Sequence, residues 1–144
     1  MPRYTTVINS TWERPRAFAF MSDFSNAQEW DPGVKAARRV ATGPVAVGSA
    51  FDLDVVFAGQ TMTIRYEVVE MEADRRVVFR ASTDRLESID TLTFDDDGAG
   101  TEVTYDARLT FKGLAALANP LLGLGFARVG DRARDSLRGV LVGA

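Results

Sequence analysis

Residues 3–11 alternate: Tyr4, Thr6, Ile8 and Ser10 oppose Thr5, Val7 and Asn9, the period of a strand. Pro15 then suits the first position of a short helix, where its missing N–H costs nothing, and Ala17, Phe18, Phe20 and Met21 give that helix an apolar side. A second helical turn covers Phe24 to Trp30, stopped by Asp31-Pro32-Gly33. Six more strands are predicted over 34–42, 48–57, 60–72, 76–83, 86–95 and 101–111, with breaks at Gly43-Pro44, Ala58-Gly59, Ala73-Asp74-Arg75 and Asp97-Gly98-Ala99-Gly100. In the third strand Phe51, Leu53, Val55 and Phe57 oppose Asp52 and Asp54. In the last, Val103, Tyr105, Ala107, Leu109 and Phe111 oppose Glu102, Thr104, Asp106 and Arg108. Such alternation implies an antiparallel sheet with one buried and one wet face.

After Phe111 the period changes. Leu114, Leu117, Leu121, Phe126, Val129, Ala133, Leu137 and Val140 recur at helical spacing, predicting an amphipathic helix over about 114–141, interrupted in its first half by Pro120, Gly123 and Gly125. The expected fold class is α+β: one strand, two short helices, six strands and one long helix in a single domain, 1–144. One long helix is too little to cover a seven-stranded sheet. A twisted sheet curls, and a sheet curled about one helix leaves volume that neither side fills. That volume predicts a pocket.

Composition narrows the chemistry. The 144 residues are 46% hydrophobic and 26% charged with a net charge of −3, an ordinary globular balance. Neither cysteine nor histidine occurs, which excludes thiolate metal sites, cysteine nucleophiles, the Ser-His-Asp triad and nearly all zinc, copper and haem ligation. No loop is spaced for calcium or magnesium, so no metal and no cofactor are expected. Arginines interleave with Asp and Glu, against a nucleic-acid partner. No apolar run approaches 18 residues and the first residues lack an apolar signal core, so neither integral membrane association nor secretion is expected, and a cytoplasmic location is. The sequence leaves oligomeric state open.

ERPRAFAFMSDFSNAQEWDPGV (13–34), VEMEADRRVVFRAS (69–82) and GAGTEVTYDARL (98–109) resemble motifs of the helix-grip superfamily of START-like lipid-transfer and polyketide cyclase/dehydrase proteins, and Gly113 to Leu122 resembles the start of its final helix. The resemblance spans the chain and agrees with the order of elements read from periodicity. It departs at Ala73-Asp74, where the family often carries proline. It implies a helix-grip fold and a ligand cavity; the superfamily hosts carriers, sensors and cyclases on one scaffold, so activity does not follow from it.

Candidate wall residues on the sheet are Phe51, Leu53, Val55, Met62, Ile64, Tyr66, Phe79, Leu92 and Tyr105; on the helix they are Leu121, Leu122, Phe126 and Val129. Trp30 beside Pro32 is expected to close one end, as staple or gate. Core packing is the alternative for any one of these positions. Counting by two from Leu92 and Phe94 turns Ser88 and Asp90 inward. The same count turns Ile89 outward, a hint of a bulge that would reverse it. Asp90 is therefore either a cavity carboxylate or a surface carboxylate, free or paired with arginine. Arg38 and Arg65 read as solvated strand-face residues, with contact to an acidic ligand head as the alternative, and Asp95 to Asp97 read as a solvated hairpin tip.

Two functions from different classes follow. One is binding of a hydrophobic small molecule such as a lipid, isoprenoid or polyketide. The other is a cyclase or dehydratase in which Asp90 with Tyr66 or Tyr105 serves as acid and base. An interaction module that uses the open rim is a weaker third. Binding is preferred, because no acid–base set is compelling from residues alone.

Overall fold

A computed structural model describes residues 3–57, 59–113 and 119–142, without the side chains of residues 57, 119–127 and 129. The strands are β1 (Arg3–Ser10), β2 (Val34–Arg39), β3 (Ala50–Phe57), β4 (Gln60–Glu72), β5 (Arg76–Ser82), β6 (Leu86–Asp96) and β7 (Thr101–Phe111). Between β1 and β2 lie α1 (Arg14–Ser22), a single 3-10 turn (Phe24–Asn26) and α2 (Ala27–Trp30); α3 (Asn119–Val142) follows β7. The predicted second strand ends three residues early and the third begins two residues late. Of the expected helix, 114–118 lie outside the described residues. Where interruption was expected, α3 runs on through Gly123 and Gly125.

All pairings are antiparallel, in the order β1-β7-β6-β5-β4-β3-β2. The chain thus meanders from β2 to β7, and β1 completes the sheet on the far side of β7. Register shifts at Val34/Ala36 in β2 and Val68/Glu70 in β4 are bulges, which bend a strand and raise its twist. They help to roll the sheet into the half-barrel of a helix-grip fold. The β4–β5 turn passes through Asp74 in the left-handed region (φ 62°), which aspartate tolerates better than most side chains.

Alternation decides the two faces. In β6, Leu86, Ser88, Asp90, Leu92 and Phe94 are buried while the residues between them are half-covered. The outer face carries cross-strand ion pairs: Arg65 with Asp52 (2.8 Å), Arg38 with Asp54 (3.0 Å) and Arg80 with Glu87 (2.7 Å). Arg3 and Arg108 face each other in register across β1 and β7, and Asp106 holds both, at 2.8 and 3.5 Å. Ile89 points outward without any bulge in β6, whose pairings to β5 and β7 are continuous. Its cross-strand neighbours are Arg80 and Arg108, whose aliphatic stems shield apolar surface while the guanidinium stays wet.

One end of the inner face is solid. Phe24 stacks on Phe79 (3.8 Å between centroids, 8° between planes), and Phe51 meets Phe79 edge-on at 6.1 Å. Phe18 packs edge-on against Phe94. The C-terminal part of α3 completes this core with Leu137 and Leu141, both buried, and is tied to β1 by Ser10 Oγ donating to the Leu141 carbonyl (2.8 Å). Two glycines mark where a neighbouring backbone or ring leaves no room for a side chain. A Cβ on Gly100 would lie 2.0 Å from the Ser10 carbonyl oxygen, and one on Gly130 would lie 2.5 Å from the Tyr4 ring. No helix among the described residues is long and apolar enough to cross a membrane.

Candidate functional site: a cavity between the sheet and the long helix

Beyond the aromatic plug the inner face does not close. The described residues bound a partly open cavity of about 160 Å³ between the sheet, α2 and α3. A single water needs only about 10–15 Å³ of such space, so the volume suits a small organic molecule rather than one or two waters. β3 and β4 contribute Leu53, Val55, Val56, Met62, Ile64 and Tyr66; β6 and β7 contribute Leu86, Ser88, Asp90, Tyr105, Ala107, Leu109 and Phe111. Trp30 and Asp31 come from the end of α2, and Ala133, Arg134 and Leu137 from α3.

Among the candidate residues, Trp30, Leu53, Val55, Met62, Ile64, Tyr66, Asp90 and Tyr105 therefore lie on the cavity wall. Phe51, Phe79 and Leu92 do not. They share the inward phase but sit at the filled end of the sheet, fully buried, with Phe24 inserted between Phe79 and the hollow. The side chains of Leu121, Leu122, Phe126 and Val129 lie outside the described residues. Sequence reading passed over Phe24, Asp31, Leu86 and Leu109 as wall residues. Leu109 carries the same period-two phase as Tyr105 and was recoverable; Phe24 and Asp31 sit in short helical turns where periodicity gives no direction.

The polar end of the cavity is a chain of hydroxyls that converges on one carboxylate. The Tyr105 hydroxyl donates to Asp90 Oδ2 at 2.5 Å, Ser88 Oγ donates to Asp90 Oδ1 at 3.3 Å, and the Tyr66 hydroxyl donates to Ser88 Oγ at 3.1 Å. Asp90 is only 7% exposed. It is neither on the surface nor paired with an arginine. Burial pushes its pKa up to about 6, although the Tyr105 and Ser88 hydrogen bonds act the other way and the negative charges of Asp31 and Asp106 add to the rise. Burial likewise raises Tyr66, with the Asp90 charge adding to it, and drives Tyr105 well above the ordinary phenol value. Asp31, whose Oδ1 accepts the Gly33 amide at 2.8 Å, is raised by burial against that hydrogen bond. Trp30 closes this end by packing edge-on to Tyr105 at 5.6 Å.

Where α3 crosses β1, Tyr4 and Thr6 on β1 and Gly130 and Arg134 on α3 complete the lining. The Tyr4 hydroxyl donates to Asp131 Oδ1 at 2.6 Å, and Arg134 reaches Asp131 at 3.3 Å and Asp135 at 3.1 Å. Arg38 and Arg65 stay on the outer face in their ion pairs and do not meet the cavity. At the hairpin tip Asp96 and Asp97 accept backbone amides of Gly98, Ala99 and Gly100. Among the described residues no group of three carboxylates is placed to hold a metal ion.

Chemically, the site offers an apolar pocket lined by two carboxyls raised by burial, Asp90 and Asp31, and by the phenols of Tyr4, Tyr66 and Tyr105. Solved structures share the architecture at low identity. A START superfamily protein from Mycobacterium smegmatis is 16% identical over 96% of this chain and 94% of its own, with a TM-score of 0.76. TTHA0849 from Thermus thermophilus is also 16% identical, over 97% and 95%, at 0.76. The Zhui aromatase/cyclase from Streptomyces sp. R1128 is 11% identical over 96% and 94%, at 0.70. None of the curated proteins matches the chain. The family model described as polyketide cyclase/dehydrase and lipid transport matches residues 1–141. Its span takes in every strand, the α2 turn and nearly all of α3, and the chain belongs to that family.

Proposed function

We propose that this protein binds a hydrophobic small molecule, of lipid, isoprenoid or polyketide size and polarity, in the cavity between the sheet and α3. The observation that carries the reading is the pairing of an apolar wall, built by Leu53, Val55, Ile64 and Leu109, with a single polar end at Asp90, Tyr105, Ser88 and Tyr66. Binding sites for small molecules have this composition: mostly apolar lining with a few placed polar groups that fix orientation. Family membership and the START-like neighbour point the same way. The test is uptake of a neutral fluorescent dye such as N-phenylnaphthylamine. Leu53→Trp, which adds an indole to the wall, is expected to abolish uptake while the circular dichroism spectrum is retained. Equal uptake by the variant, or none by the unmodified protein, would count against the reading.

A second reading is favoured by one observation, a carboxylate held near neutral pKa and hydrogen-bonded to a phenol inside the cavity. Such a group can take and return a proton beside a carbonyl, as a cyclase or dehydratase requires, and a structural neighbour is an aromatase/cyclase. Exchange of the α-protons of a bound ketone with deuterium, followed by NMR, tests it. Exchange that is no faster with the protein than with Asp90→Asn would sink the enzymatic role and leave the binding role standing.

A further inference from the structure

The charges around the cavity are one-sided. Asp90 is buried on the wall, and each hydroxyl that reaches it donates toward the carboxylate, with Tyr66 feeding Ser88 behind. That wiring suits an anion. Asp31 supplies a second carboxylate to the same wall. Among the described residues no lysine or arginine lies within ion-pair distance of either, and the charges that act on Asp90 are those of Asp31 and Asp106, both negative. Arg134, the arginine of the lining, is already held by Asp131 and Asp135. The stretch from Gly113 to Ala127 contains no ionisable side chain at all, so it brings no counter-charge to the cavity.

A buried carboxylate without a counter-ion is costly, and the cost is relieved when a cation enters with suitable geometry. The rings of Trp30, Tyr105, Tyr66 and Phe24 line the same space, and aromatic walls attract ammonium groups through their quadrupoles. A fatty acid would instead place a further negative charge beside Asp90 and Asp31. We propose that the ligand of this cavity is an apolar amine, its protonated nitrogen seated at Asp90 and its hydrocarbon part lying along Leu53, Val55, Ile64 and Leu109. This rests on the binding reading above and names its ligand class.

Octylamine, octanol and octanoate, compared by titration calorimetry at pH 7.5, separate the two ideas. The amine is expected to bind at least tenfold more tightly than the acid, with octanol between them. Asp90→Asn should erase the advantage of the amine over octanol. Because that substitution falls in the core, the unmodified protein supplies an independent readout. Octylamine stays protonated between pH 5 and pH 7, so its affinity should rise about tenfold over that interval as Asp90 ionises from a pKa of about 6, while that of octanol stays flat. Octanoate bound as tightly as the amine, or an octylamine affinity that ignores pH, overturns the amine assignment and leaves the cavity as an apolar binding site. Failure of all three to bind overturns both.

Discussion

Tyr105 hydrogen-bonds Asp90 diagonally across β7 and β6, on the inner face of the sheet, and the bond of 2.5 Å is the shortest link in the hydroxyl chain at the polar end of the cavity. The donor is uncharged. Asp90 therefore keeps most of the penalty of burial.

That penalty is visible in pH dependence. A carboxyl raised from 3.8 to about 6 on folding binds more protons in the folded than in the unfolded chain. Its contribution is fully favourable below pH 4 and is lost as the pH climbs through 6. The lost part is on the order of 3 kcal/mol. Asp90→Asn, which cannot ionise, is expected to be relatively more stable at pH 7.5 than at pH 4.5 when each is compared with the parent protein. Urea denaturation at the two pH values measures this; a difference that does not change with pH would mean that Asp90 is not the group that titrates.

Tyr4 and Gly130 are matched by shape where α3 crosses β1. Gly130→Ala places a methyl carbon 2.5 Å from the Tyr4 ring, so helix or ring must move. Overpacking of this kind costs about 1–3 kcal/mol. Combining Gly130→Ala with Tyr4→Ala should recover part of the loss, a positive coupling in a double-mutant cycle. Additive effects in thermal unfolding would show that the contact carries no energy.

Phe24 separates the filled core from the hollow. Phe24→Ala removes its stack on Phe79 and should destabilise the fold by about 3–5 kcal/mol. It also joins the vacated space to the cavity. Where the variant stays folded, the longest alkyl chain that competes for the dye should increase, as read in a homologous series of alcohols.

The ion pairs of the outer face stand apart from ligand binding. Arg65→Ala breaks the pair with Asp52, whose pKa is lowered by that hydrogen bond, yet the arginine is more than half exposed. Exposed pairs contribute little and are screened by salt. Dye affinity is expected to be unchanged, and the small fall in melting temperature should vanish at high ionic strength.

The fold was legible because the chain alternates cleanly where the sheet has two different faces. The inward phase of Leu86, Ser88, Asp90, Leu92 and Phe94 could be counted directly. The doubt over Asp90 arose from Ile89, since an isoleucine on a wet face looks like a broken count. The resolution lies in its neighbours: Arg80 and Arg108 come from other strands, and their cover exists only once register is known. Phase also could not separate wall from core. Phe51 and Leu53 point the same way two residues apart, but the first meets the Phe24–Phe79 stack and the second meets the hollow. That distinction depends on where the turn after α1 places Phe24. No local pattern encodes it.

The division of labour between the faces has a consequence for divergence. Strand register is reinforced from outside, by Asp52 with Arg65, Asp54 with Arg38 and Asp106 with two arginines, none of which touches the cavity. Side chains that greet a guest can then be exchanged without loosening the frame that presents them. Chemical taste and mechanical integrity are written on opposite sides of the same strands, so a lineage could change the one repeatedly while inheriting the other.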